Sequence, residues 1–189
     1  MLRPRVLVFY GTMTGQTRKV ALALGESLRS AELAVDVVSA HDKVNPDPGR
    51  YRAVIVAAPV RAGRYPKPVR RWVKAHAGAL GNRPTAFVSV CLGVLERNPR
   101  TDAVLADIIK RFFAETGWRP ETTKIVAGAL LYRQYNWITR WVMRRIVAKA
   151  HGDVDTSRDY EYTDWKDLEA FGREFARGLV GSLPVQAAS

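Results

Sequence analysis

The chain has one cysteine, Cys91, in 189 residues, and so can close no internal disulfide. That fits a reducing compartment and excludes a disulfide-stapled secreted scaffold. It has three histidines, His41, His76 and His151, scattered far apart. No Cys/His cluster has ligand spacing, so no metal site is expected. Long apolar runs are missing too: none reaches the roughly 18 residues that span a bilayer. Residues 1–5 lead directly into the first apolar run, so no signal peptide and a cytoplasmic address are expected. Acidic residues are scarce: 18 Asp and Glu stand against 30 Lys and Arg, a net charge of +12. Such a balance favours an anionic partner: nucleic acid, an anionic lipid surface, or a carboxylated or phosphorylated ligand.

What is present is an alternation of strand and helix. Residues 6–10 are a continuous apolar run, the pattern of a parallel strand covered on both faces. Val20, Leu24 and Leu28 then recur at helical spacing, with Ala21 beside them. Further strands are expected at 33–38, 53–59, 85–92 and 124–130, and further helices at 69–77, from Thr101 as N-cap to Gly117, and from about Asp164. The second of these helices should turn Val104, Leu105, Ile108, Ile109 and Phe112 inward, and the last Leu168, Phe171 and Phe175. Five alternations imply a doubly wound five-stranded parallel α/β sheet with helices on both faces, with its ligand at the carboxyl ends of the strands. One domain over residues 1–181 is expected, with an insertion at 131–163 and a frayed tail at 182–189.

The loop of residues 11–17, GTMTGQT, joins the first strand to the first helix. A helix N-terminus there offers unpaired N–H groups and the positive end of the dipole, so an anion is favoured. Threonine hydroxyls add donors, and Gly15 lets the backbone approach closely. No Gly-Lys-Ser/Thr follows, and only Gly11 and Gly15 are present, so neither a Walker loop nor a dinucleotide fingerprint is intact. With no Lys or Arg inside the loop, neutral donors must bind, which suits a monophosphate. The competing reading is a capping turn with no ligand.

Thr12-x-Thr14-Gly15-x-Thr17 matches the phosphate loop of flavodoxins. The blocks GQTRKVA, PVRAGRYP, FVSVCL, GWRP, VAGALLYRQYNW and DTSRDYEYTDW resemble, in order and spacing, segments of the menaquinone-dependent protoporphyrinogen IX dehydrogenase family. The resemblance covers about residues 5–178 and implies a flavodoxin-like fold with FMN as cofactor. It implies that Thr12, Met13, Thr14, Gly15, Gln16 and Thr17 hold the phosphate. It places Pro59, Val60, Arg61, Ala62 and Gly63 on one side of the isoalloxazine. Ser89, Val90, Cys91, Leu92 and Gly93 border the other side, and the segment from Ala129 to Asp155 and Thr156 lies nearby. The implied reaction is oxidation of protoporphyrinogen IX to protoporphyrin IX in haem biosynthesis, with a quinone as acceptor. Arg61, Arg64, Tyr65, Lys67 and Arg70 are the implied substrate contacts, the basic ones suiting its two propionates. Cys91 is expected to be packing rather than a nucleophile.

Three departures from the family pattern stand out. Ala62 and Pro66 replace aromatic and polar residues, and Gly11 stands where serine is common. Electron-shuttle flavodoxins are acidic, whereas this chain is strongly basic.

Residues 135–152, YNWITRWVMRRIVAKAHG, read as a helix with Ile138, Val142, Met143, Ile146 and Val147 on one face. Trp137 and Trp141 fall opposite, among Arg140, Arg144 and Arg145, a combination suited to a lipid headgroup region or to a neighbouring subunit. An anionic membrane surface and self-association are therefore both allowed, while nucleic acid is not expected. Two other functions stay open: a general NAD(P)H:quinone reductase, and a basic binding module with a degenerate flavin site.

Overall fold

The computed structural model describes residues 3–92, 99–130 and 160–181. Five parallel strands form its centre: β1 (Arg5–Tyr10), β2 (Ala34–Ser39), β3 (Ala53–Pro59), β4 (Thr85–Val90) and β5 (Thr122–Val126). Their spatial order is β2-β1-β3-β4-β5, so the winding reverses between β1 and β3. Alternate side chains of the buried strands leave for opposite faces, which splits the core in two. Val6, Val8, Ile55 and Val88 pack under α1 (Gln16–Arg29), with its Val20, Leu24 and Leu28, and under α5 (Trp165–Gly181), with its Leu168 and Phe171. Leu7, Phe9, Val54, Val56 and Phe87 face the other layer, formed by α2 (Lys67–Ala75), α3 (Ala77–Gly81) and α4 (Pro99–Thr116). An aromatic cluster of Phe87, Phe112, Phe113 and Trp118 fills this second layer, and Trp118 Nε1 donates to Thr85 Oγ1 at 3.3 Å.

Several boundaries differ from the expected ones. The helix with Val69 begins at Lys67, behind Pro66, and breaks at His76 before a short α3. Helix α4 starts at Pro99, so Thr101 lies inside its first turn rather than capping it, and Val104 is 54% exposed instead of inward. The expected strand at 124–130 is two pieces. β5 stops at Val126, and β6 (Ala129–Leu130) turns away to pair antiparallel with β7 (Tyr160–Glu161). Asp164 accepts from Asp167 N at 3.0 Å at the start of α5, where a start near Asp164 was expected. The basic helix with Trp137, Arg140, Trp141, Arg144 and Arg145 lies outside the described residues, as does the expected tail at 182–189. Among the described residues no helix is long and apolar enough to cross a membrane.

Candidate functional site

Strand register brings three loops to one level at the carboxyl edge. Tyr10 pairs with Ala57, Pro59 with Val90, and Val90 with Val126. Just beyond, Gly11 N donates to Ala57 O at 3.0 Å, Val60 N to Val90 O at 2.9 Å, and Cys91 N to Val126 O at 2.9 Å. The strand ends therefore hold the loops as continuations of the sheet. Between them lies a cleft of about 260 Å³.

Most of the expected cofactor residues line it: Met13, Thr14, Gln16 and Thr17 from the first loop, Pro59, Val60, Arg61 and Ala62 from the second, and Val90, Cys91, Leu92 and Ala129 from the rest. Gly128 joins them unforeseen. Cys91 sits past the end of β4, half-buried, rather than within a strand. Thr12 and Gly15 shape the first loop instead of lining the cleft: Gly15 N donates to Thr12 Oγ1 at 3.0 Å. Gly15 has φ +89°, a left-handed conformation that glycine adopts without strain. From there it starts α1 without covering the first turn, because it offers no side-chain cap and no acidic residue follows. The positive end of the α1 dipole is left open toward the loop. Gly11 is required by packing: a Cβ there would come within 2.5 Å of Val69 Cγ2, so any larger residue would force Val69 to move.

Gln16 is 5% exposed and held in one orientation. Its Nε2 donates to Glu161 Oε1 and to Thr163 Oγ1, both at 2.9 Å. Thr163 spends its own proton on Ala127 O at 2.8 Å, so both neighbours present acceptors and the amide nitrogen must face them. Oε1 is consequently buried with no partner among the described residues. A buried acceptor without a donor is unfavourable, so an O–H or N–H group of a ligand in the cleft would complete it. Lys19 Nζ reaches Glu161 Oε2 at 3.0 Å. Burial pushes the Glu161 carboxyl up, but the hydrogen bonds from Gln16 and Lys19 and the Lys19 charge outweigh it, leaving it below the ordinary carboxylate value. Glu161 and Thr163 escaped sequence reasoning because they lie 145 and 147 residues from Gln16.

The second loop is a two-residue hairpin. Arg61 and Arg64 exchange backbone hydrogen bonds of 2.9 and 3.0 Å, while Ala62 and Gly63 have φ of +47° and +71°. Two consecutive positive φ values define a type I′ turn, whose first central position carries an alanine here. Gly63 stays outside the cleft lining.

Two of the residues expected at the site have buried side chains. Ser89 shares a face with Phe87, is 1% exposed, and bonds Tyr65 Oη at 2.8 Å, so its hydroxyl is held in the aromatic layer. Tyr65, expected at the substrate, is 3% exposed, with its ring against Phe87 and Phe112 at 5.0 and 4.8 Å. Burial pushes its phenol far above the ordinary value, against a smaller opposing effect of the Ser89 hydrogen bond. Arg61 lines the cleft and touches Met13 Sδ at 3.8 Å. Arg70 does not join it: its Nη1 lies 2.5 Å from Glu115 Oε1 on α4. Arg64 lines a separate cavity, and Lys67 is exposed at the start of α2. Gly93, Asp155 and Thr156 lie outside the described residues. Among the described residues no group of three or more His, Cys, Asp or Glu could hold a metal ion.

A family model described as "Flavodoxin domain" matches residues 7–157. The chain is 33% identical over 175 residues to the protein of Escherichia coli K12 named protoporphyrinogen IX dehydrogenase (quinone), covering 91% of this chain and 94% of that one. A protein of the same name from Leishmania major is 29% identical over 176 residues, covering 92% and 75% respectively. Among solved structures, oxidised flavodoxin 1 from Bacillus cereus superposes with a TM-score of 0.58 at 17% identity, over 95% of this chain and 99% of that one. At that identity the likeness speaks for the fold. The chain belongs to the flavodoxin-domain family and, within it, to the protoporphyrinogen IX dehydrogenases (quinone).

Proposed function

We propose that this protein oxidises protoporphyrinogen IX to protoporphyrin IX in haem biosynthesis, using FMN held in the cleft and a quinone as electron acceptor. The observation that carries the reading is the 33% identity with a dehydrogenase of that name along 94% of its length. Flavin binding follows from the flavodoxin domain, and FMN is the flavin that the loop chemistry favours. The open start of α1 suits one phosphate, since the loop offers hydroxyl and backbone donors but no Lys or Arg. The orphaned Gln16 Oε1 suits a donor such as a ribityl hydroxyl.

When bound, the flavin would accept electrons from the porphyrinogen and give them up to the quinone. The chain's own residues bind and orient. Thr14 and Thr17 offer hydroxyls beside the α1 terminus, and Gln16 is kept in one rotamer by Glu161 and Thr163. Ala62 of the hairpin turn and Cys91 of the third loop both line the cleft that would take the ring. Arg61, exposed and lining the cleft, is suited to meet a propionate.

The test is to purify the protein, identify any released chromophore by chromatography, and assay anaerobic porphyrinogen oxidation with a quinone. Stoichiometric FMN and quinone-dependent formation of the fluorescent porphyrin are expected. A protein that turns over NAD(P)H and a soluble quinone, but never the porphyrinogen, would overturn the reading.

A further inference from the structure

A second cavity, of about 330 Å³, lies on the Arg64 side of the hairpin turn. Arg64, Arg70 of α2 and Arg111 of α4 line it, above an apolar floor of Ile108 and Phe112. Glu115 is the single carboxylate in the lining, so the cavity is net cationic. Glu115 holds one edge of the Arg70 guanidinium at 2.5 Å, while Arg70 Nε is buried with no acceptor among the described residues. A guanidinium stays charged at every working pH, so this is a permanently cationic donor left incomplete. Among the described residues Arg111 pairs with Asp107 one turn earlier, both side chains being about 60% exposed, so this is a weak, screened pair. Arg64 has no ion pair among the described residues.

We infer that this pocket is an oxyanion site, distinct from the flavin cleft, that takes a carboxylate or phosphate group on Arg64, Arg70 and Arg111. Planar forks match both groups bidentately, and the Arg70 guanidinium has donors beyond the Nη1 that Glu115 engages. The cavity and the cleft share the hairpin turn, Arg61 and Ala62 lining one and Gly63 and Arg64 the other. Two sources supply this chemistry: a carboxylate of the substrate reaching past Arg61, which rests on the porphyrinogen reading, or a free small anion, which does not.

The test is calorimetric titration of the flavin-loaded protein at low ionic strength with inorganic phosphate and, separately, succinate. Saturable binding is expected, weakened roughly tenfold or more by Arg64→Gln or Arg111→Gln, and unchanged by Arg173→Gln on the exposed face of α5. Glu115→Gln should tighten it by removing the competing carboxylate, a gain that a misfolded variant cannot mimic. Absence of saturable binding by either probe, or equal weakening by Arg173→Gln, would overturn the site. If Arg64→Gln also raises KM for the porphyrinogen with kcat unchanged, and phosphate inhibits competitively, the seated group is the substrate's carboxylate. An unchanged KM with lost phosphate binding assigns the pocket to a free anion. Should porphyrinogen turnover be absent altogether, the proposed function fails while the titrations still decide the pocket.

Discussion

Gln16 and Glu161, 145 residues apart, are joined by a 2.9 Å hydrogen bond that fixes the start of α1 to β7. Glu161 also holds Lys19 at 3.0 Å, so one carboxylate orients Gln16 and anchors the following turn. Its folded value lies below the ordinary 4.5, so its contribution is complete above that value and disappears as pH falls through the depressed one. The Lys19 pair is half exposed and screened, which limits the whole effect to about 1 kcal/mol. Glu161→Ala should lower stability by about that much at pH 7 and weaken flavin retention severalfold. The difference from wild type should shrink in acid, below the ordinary carboxylate range. Fluorescence titration of the flavin and urea unfolding at pH 7 and in acid check both.

Tyr65 and Ser89 make the corresponding buried pair on the other layer. Removing only the phenolic oxygen leaves the Ser89 hydroxyl buried and unpaired, at a cost of about 1–3 kcal/mol. Tyr65→Phe should therefore lower the urea midpoint with little change in slope, and adding Ser89→Ala should recover most of the loss. A pH signature accompanies it. The phenol is raised above its ordinary value of 10, so the folded state keeps its proton where the unfolded chain loses it. Stability from this group is complete below pH 10 and is lost as pH climbs toward the folded value. The drop in stability above pH 10 should be shallower in Tyr65→Phe than in wild type.

How far the site was legible depended on distance along the chain and on parity. The loop of residues 11–17 was readable because strand, threonines, Gly15 and helix follow one another directly. The inward course of the Ser89 hydroxyl was signalled: residues two apart share a face, and Phe87 belongs to the aromatic core. Tyr65 follows a turn whose backbone reversal no composition argument fixes, so its inward course was hidden. Arg70 looked like part of a basic patch with Arg61, but it sits on α2 opposite Glu115 of α4. β5 was overextended because Ala127, Gly128 and Ala129 continue an apolar run, while the partner that redirects Ala129 is Glu161, more than thirty residues on. Local patterns were readable, whereas contacts between distant segments were not.

Ala62 holds φ +47° at the first central position of the Arg61–Arg64 turn. A Cβ in the left-handed region costs about 1–2 kcal/mol, and glycine is free of that penalty while losing more entropy on folding. Ala62→Gly should thus stabilise the fold by up to about 1 kcal/mol. Asn, which tolerates this region, should be near neutral, and Val should destabilise by more than 1 kcal/mol. Because Ala62 lines the cleft, the Val variant should also lose flavin affinity. Chemical denaturation of the series, with and without added FMN, separates the backbone effect from the binding effect.

Gly11 packs on Val69 of α2, and a side chain added there tests which of the two gives way. Its absent Cβ would sit 2.5 Å from Val69 Cγ2, with Pro66 Cγ the next atom at 3.5 Å, so one methyl group is the obstacle. Gly11→Ala should cost about 1–3 kcal/mol, the usual range for overpacking a well-filled site. Val69→Ala alone should also destabilise, because Val69 is fully buried and its loss leaves a cavity. Combined, the two should cost clearly less than their sum, since the new methyl occupies the space the valine vacates. Simple additivity in urea unfolding would mean that the loop moves instead of Val69. In that case FMN affinity should fall in Gly11→Ala and stay low in the double variant.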